Sequence, residues 1–298
     1  MSILLSLLRP ATATEFEVGA GLELLGHAAE GDAGAGIGQA EIAALLTTGS
    51  IGLRAELELG QRAYDGIRRE GGELQVFPEW GAGLFGVGSW QLAVGFQPLP
   101  TGNESEDAWR NALPVYSRGF ASIWPGVLLG ARGVYDTGGV LSPGVWGGVT
   151  AGPLDDPVGE PLIGGGLRLG EPEGVHGHLA LHTFPVDMKL ASSAHIAAPL
   201  GEVVELGGDA YVGADRDSWQ AAFTAQARFL PEGSVQPVVR GEWARGKDPV
   251  AFDAGLLYVP HPSLHLRVAG RVEGQEWLAV ASLSLVDEKP DQGGWSLD

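Results

Sequence analysis

The chain has 298 residues, no cysteine, and 37 acidic against 18 basic side chains, giving a formal net charge of -19. The missing cysteines exclude disulfides and thiolate metal sites, and the acidic excess repels nucleic acid. No window of about eighteen apolar residues occurs, which excludes a transmembrane helix.

Charged residues make up only 18% of the chain, and 48 residues are glycine. That glycine share is more than twice the usual one, with no triplet period behind it. Low charge density with a strong acidic bias suits a large apolar surface around a polar interior.

Residues 1–13 hold a short apolar run, Ile3-Leu-Leu-Ser-Leu-Leu8, and then Ala11-Thr-Ala13. The small-x-small ending has the form of a signal-peptidase site, although a basic start is missing. The segment reads as a truncated export signal or, equally, as a first strand or irregular start.

From residue 14 to residue 286, runs of strand length alternate with clusters of Gly, Pro, Asp and Asn. The first run is Glu15 to Leu24, with His27 to Gly34 read as a turn and Ile37 to Leu46 as the second run. The clearest run follows at Ile51 to Arg62. Ile51, Leu53, Ala55, Leu57 and Leu59 share one parity, and Arg54, Glu56, Glu58 and Arg62 the other. A period of two puts these sets on opposite faces of a strand; a helix would scatter them around its circumference. Glu73 to Trp80 and Trp90 to Gln97 come next, and then the polar stretch Pro98 to Pro114, the longest irregular connection. Tyr116 to Trp124 and Val127 to Tyr135 read as a hairpin around Pro125-Gly126.

Further runs are Gly144 to Gly152, Leu162 to Leu169, Val175 to Phe184, Val186 to Ile196, Val203 to Val212, Trp219 to Phe229, Val235 to Trp243, Phe252 to Val259, Leu264 to Val272 and Trp277 to Val286. Residues 287–298 form a polar tail. No fixed repeat and no domain boundary interrupts the rhythm. The expectation is a single all-β unit, an antiparallel transmembrane β-barrel of roughly 14–16 strands.

The late runs keep the division: Leu264, Leu266, Val268 and Val272 oppose His265, Arg267 and Arg271. A soluble β-sandwich can alternate in the same way. Two features favour lipid. The polar parity mixes charges of both signs, as a water-filled or salt-bridged lumen would. In addition, Trp80, Trp90, Trp124, Trp146, Trp219, Trp243, Trp277, Tyr135, Tyr211 and Tyr258 fall near strand ends, where the membrane interface selects aromatics. The predicted lumen set is Glu15, Glu17, Arg54, Glu56, Glu58, Arg132, Arg168, Arg228, Arg240, Glu242, Arg267 and Arg271. Both signs are present, so selectivity stays open, with the acidic balance tilting toward cations. These charges could instead satisfy one another and leave no open pore.

Asn103, Glu104, Glu106 and Asp107, in the long polar loop, are the candidate constriction. His176 and His178 share a face, as some metal sites require, but no carboxylate lies in their strand, and no metal or cofactor is expected. No Gly-x-Ser-x-Gly elbow supports a hydrolase, so the chain is not read as an enzyme.

Leu92-Ala-Val-Gly-Phe-Gln-Pro-Leu-Pro-Thr-Gly-Asn-Glu104 resembles a strand-and-loop motif of the β-barrel porin families of Gram-negative bacteria, particularly the OmpL-like group. Asn111, Ser117-Arg-Gly-Phe120 and Pro125-Gly-Val-Leu-Leu-Gly-Ala-Arg132 resemble the segments that follow it there. Phe96-Gln97 departs from the usual basic-then-aromatic order. The chain also ends on Trp295-Ser-Leu-Asp298 where such barrels present a terminal aromatic. The resemblance covers about a fifth of the chain. It implies an outer-membrane diffusion channel whose partners are lipid and small hydrophilic solutes or ions, with a homo-oligomer left open. The rival is a soluble or periplasmic all-β binding or structural protein.

Overall fold

A computed structural model of the chain describes residues 14–60, 75–99, 112–114, 117, 127–151, 159–170, 174–246 and 249–287. The described residues form sixteen strands: β1 (Glu15–Ala29), β2 (Asp32–Thr48), β3 (Ile51–Gly60), β4 (Gln75–Val87), β5 (Trp90–Pro98), β6 (Val127–Tyr135), β7 (Leu141–Ala151) and β8 (Pro161–Leu169), then β9 (His176–Phe184), β10 (Lys189–Leu200), β11 (Val204–Ala214), β12 (Trp219–Phe229), β13 (Val235–Ala244), β14 (Val250–His261), β15 (Leu264–Glu273) and β16 (Glu276–Val286). Each pairs antiparallel with its sequence neighbours, and β1 pairs with β16, which closes the barrel. The expected architecture and strand number are therefore found.

The alternation seen in the sequence becomes an inversion of the usual burial. Leu53, Ile42 and Ile163 are 56%, 63% and 63% exposed, whereas Glu56 and Arg267 are 2% and 1% exposed. At the outward-facing described positions of the strands there is no Asp, Glu, Lys or Arg. A belt of Leu, Val, Ile, Ala and Phe around a closed ladder is the surface a bilayer accepts, because no backbone edge is left unpaired in hydrocarbon.

Outward aromatics stand at both rims. Phe16, Phe85, Trp90, Tyr135, Phe229 and Tyr258 ring the end that carries the chain termini and the short turns. Trp219, Phe223, Trp243, Phe252 and Trp277 mark the opposite rim along β12–β16. Trp219 and Phe229 bound β12; at about 3.3 Å per residue and a tilt of about 40°, they stand roughly 25 Å apart in height, the thickness of an apolar barrel belt.

Several sequence expectations are corrected. The turn read over His27 to Gly34 is confined to Glu30-Gly31: β1 and β2 run on to Ala29 and Asp32, and residues Gly21 to Ala29 pair with β16 from Val286 to Leu278. Glycine and alanine there read as a loop by composition, but the ladder on both sides holds them extended. β4 continues past Trp80 to Val87. Val127–Tyr135 pairs with β5 and β7, so the hairpin around Pro125-Gly126 is not its partner; residues 118–124, like 1–13, 288–298, Asn103, Glu104, Glu106 and Asp107, lie outside the described residues. Trp80, Trp146 and Tyr211 do not join the rims. They point inward and are 4%, 3% and 1% exposed. Parity decides this: each shares its strand face with inward residues, and composition alone cannot distinguish a rim aromatic from an interior one.

Two glycine contacts shape the inner wall. Gly38 is the extra residue where the β1–β2 register shifts, and a side chain there would strike the Glu23 carboxylate. Gly164 and Gly166 leave room for the Trp146 indole, which lies within contact distance of where their Cβ atoms would stand. Bulges and aromatic–glycine packing are the usual devices that curve a closed sheet.

Ala225 faces outward midway along β12, exposed. Replacing it by arginine is expected to lower folding stability in a bilayer by about 2–4 kcal/mol. Denaturant titration of the barrel in lipid vesicles checks this, and an unmoved midpoint would contradict a lipid-facing wall.

Candidate solute pathway through the barrel

Closure brings together charges that lie far apart in the chain. Arg267 on β15 donates from Nη2 to Glu23 Oε1 on β1 at 2.8 Å and also reaches Ser284 on β16. One guanidinium thus ties the first strand to the last two. On β13–β15, Arg240 Nε lies 3.0 Å from both Glu242 Oε1 and Asp253 Oδ2, and Arg271 Nε lies 2.8 Å from Asp253 Oδ1 while its Nη2 binds Glu242. Two arginines and two carboxylates balance there, all buried. Arg228 pairs with Glu205 at 2.8 Å, half-buried. On the opposite side of the bore, Arg54 Nη2 bonds Glu56 Oε2 at 2.7 Å, and Arg54 and Arg132 stack on Trp80 with guanidinium carbons 4.6 and 5.5 Å from a ring centroid.

Ten of the twelve predicted lumen residues therefore lie buried or half-buried on the inward parity: Arg54, Glu56, Glu58, Arg132, Arg168, Arg228, Arg240, Glu242, Arg267 and Arg271. Glu15 and Glu17 share that parity but are exposed, because β1 extends beyond Gly21, where β16 stops pairing with it. The predicted lumen set leaves out Glu23, Glu41, Asp209 and Asp253, although Glu23 and Asp209 share the charged parity of their runs. The signal that could have found them was local: Asp253 sits between Phe252 and Ala254, and Glu41 between Ala40 and Ile42, on otherwise apolar-alternating strands.

The inward charge is divided by sector. Glu15, Glu17, Glu23, Glu41, Glu56 and Glu58 come from β1–β3, against one inward arginine, Arg54. Six consecutive strands, β5 through β10, contain no Asp or Glu at all and contribute Arg132, Arg168, Lys189 and the histidines His176, His178, His182 and His195. Since β2 and β9 are seven places apart in a ring of sixteen, the acidic and the carboxylate-free walls face each other across the bore.

The histidines are partly locked. Trp146 Nε1 donates to His182 Nδ1 at 3.1 Å. His195 Nδ1 lies 3.1 Å from Asp209 Oδ1, and Thr224 Oγ1 donates to Asp209 Oδ2 at 2.9 Å. The carboxylate missing from the His176–His178 strand thus comes from β11, to the histidine of β10. Among the described residues, no three His, Cys, Asp or Glu side chains are grouped so as to hold a metal ion.

Leu99 packs into an apolar cluster on the inner wall of β6–β10 with Leu128, Trp146, Leu162 and Phe184. Leu113 is 2% exposed and sits among Leu25, Val238, Ala269 and Val280, on β1, β13, β15 and β16. These two sockets lie on opposite sides of the ring.

No protein-family model matches this sequence, nor does any curated protein sequence. Solved structures do resemble the fold. Salmonella typhi OmpF in complex with daunomycin aligns with TM-score 0.66 and 11% identity over 91% of this chain and 97% of that one. The anion-selective porin from Comamonas acidovorans aligns with 0.63 and 11%, over 92% and 100%. OmpT of Vibrio cholerae, an outer membrane protein, aligns with 0.65 and 10% over 93% and 100% in a form lacking loop L8, and with 0.61 and 10% over the same shares in an in-vitro folded trimer form. The barrel has the fold of the outer-membrane porins.

Asp253 is the shared acceptor of Arg240 and Arg271. Asp253→Ala leaves two buried guanidinium groups short of one negative charge and is expected to cost about 3–5 kcal/mol, with Asp253→Asn milder. Equilibrium unfolding from lipid vesicles measures both variants.

Proposed function

We propose that this chain is an outer-membrane channel for passive diffusion of small hydrophilic solutes or ions. The observation that carries the reading is the pairing of a charge-free outer belt with an inner wall that bears the arginines and carboxylates. No covalent step is required: the barrel excludes lipid, and the charges in the bore decide what passes. The inward residues from Arg54 to Arg271 described above would line the path, with Glu15 and Glu17 at its terminus-side mouth. The short turns would face the periplasm and the longer connections the exterior.

The seating of Leu99 and Leu113 on opposite inner walls supports the segment Pro98 to Pro114 as the constriction, with Asn103, Glu104, Glu106 and Asp107 as its polar residues. The acidic wall favours cations in the wider path. The porin-like fold supports kinship with the OmpL-like group without resting on it, and the trimeric OmpT supports assembly as a homo-oligomer. Nothing in this reading calls for a cofactor, a metal or enzymatic turnover.

Planar-bilayer recording of the refolded chain tests the proposal. Discrete conductance steps and a cation-leaning reversal potential in a salt gradient are expected; a folded barrel that inserts without conducting would refute the channel. Deleting Asn103 to Asn111 is expected to raise single-channel conductance. Leu113→Ser, which unseats Leu113 from its apolar socket, is expected to increase open-channel noise without abolishing folding, read from the same traces. Equal conductance in the deletion variant would remove the loop from the constriction.

A further inference from the structure

We propose that the inner wall at the β8–β9 hairpin carries a binding station for oxyanions, built from Arg168, His176 and His178 and open to the mouth at the short-turn end. Solutes bearing a phosphate, sulfate or carboxylate group are the class it fits. As a stage on a solute's route it rests on the channel reading; as a binding site it does not.

The case begins with Arg168. It stands on the inward parity of β8, between outward Leu167 and Leu169, and is half-buried one residue before the strand's last, with the turn at Gly170 beyond. Arg54, Arg228, Arg240, Arg267 and Arg271 each hold a carboxylate. Arg168 forms no ion pair or hydrogen bond among the described residues. It lies in the six-strand sector that supplies no carboxylate. A half-buried guanidinium in that setting keeps five N–H donors available in a fork that matches two oxygens of an oxyanion.

The neighbours reinforce this. Arg168 is directly opposite His178 on β9 and Ser142 on β7, and His178 is directly opposite His195 on β10. Directly opposed side chains have Cβ atoms about 4.5–5.5 Å apart, so the guanidinium and the His178 ring reach one volume. His178 and His176 lie 5.6 and 6.1 Å from the His195 ring, centroid to centroid. His176 is fixed by a 3.0 Å bond from Nδ1 to the Gly174 carbonyl, leaving Nε2 for another partner.

The carboxylates facing this group can be named. Asp209, on the same transverse row, is held by His195 and Thr224, and at about 4.8 Å per strand it stands roughly 14 Å from Arg168. Asp136, in the β6–β7 turn, accepts the Gly138 N–H. Glu160 and Asp187 are engaged with Lys189 at the other mouth. Glu171 and Glu173, in the β8–β9 turn, lie outside the described residues.

Sulfate is the probe, an oxyanion of fixed double charge. Calorimetric titration into the folded full chain in detergent is expected to show saturable binding. Arg168→Gln is expected to weaken it about tenfold or more, consistent with loss of charge-assisted hydrogen bonds. Arg168→Lys should restore part of the affinity, and His178→Gln should weaken binding less than Arg168→Gln does. Arg216→Gln, the same charge change in an exposed loop, should leave binding unchanged, and heat-modifiable gel mobility verifies that each variant is folded. Absence of saturable binding by the parent protein, or binding that Arg168→Gln leaves intact, overturns the station. Arg168-dependent binding by a barrel that conducts nothing would uphold the station and defeat the channel; conduction without sulfate binding would do the reverse.

Discussion

Ring closure between β1 and β16 is the condition under which both faces of this barrel can exist. A backbone N–H or C=O left unpaired in hydrocarbon costs several kcal/mol, so an open sheet of these strands could not lie in a bilayer. Nine register pairs, from Gly21–Val286 to Ala29–Leu278, make the closing seam. Arg267 reinforces it from within by joining Glu23 on one side of the seam to Ser284 on the other. Gly38 lets Glu23 take that position, since a side chain there would occupy the carboxylate's space.

Closure also sets what the two faces must be. Outside, side chains meet lipid, and apolar groups that would be a liability on a soluble protein are what the solvent demands. Inside, charges removed from bulk water persist only with partners. The Arg240–Asp253–Arg271–Glu242 quartet spreads two positive and two negative groups over three adjacent strands, and each carboxylate serves both arginines. Such sets are strong only when complete, because removing one member leaves its partners buried and uncompensated.

The interior is not uniform around the ring. Glutamates dominate β1–β3, the quartet and its neighbours occupy β13–β15, and the β5–β10 wall is glycine-rich, carries Arg132, Arg168 and the histidines beside an apolar cluster, and is free of carboxylates. Trp146, seated over Gly164 and Gly166 and bonded to His182, fills that wall with bulk where the other side carries charge. Leu99 is seated on one side and Leu113 on the other. The bore is thus asymmetric in charge and in shape, although the net charge of the chain describes only its acidic part.

The strand class, the near count of strands and the parity of most residues are legible in the order of the amino acids. A period of two is a local property: Arg54, Glu56 and Glu58 must oppose Leu53, Ala55 and Leu57 whatever the rest of the chain does. Position around the ring is not legible there and had to come from the assembled barrel. Glu23 and Arg267 are 244 residues apart and meet because β16 returns to β1. The inward turn of Trp80, Trp146 and Tyr211, the extended state of Gly26 to Ala29 and of Asp32 to Gly34, the neutralisation of most arginines and the isolation of Arg168 all follow from registers between strands, which local alternation cannot encode.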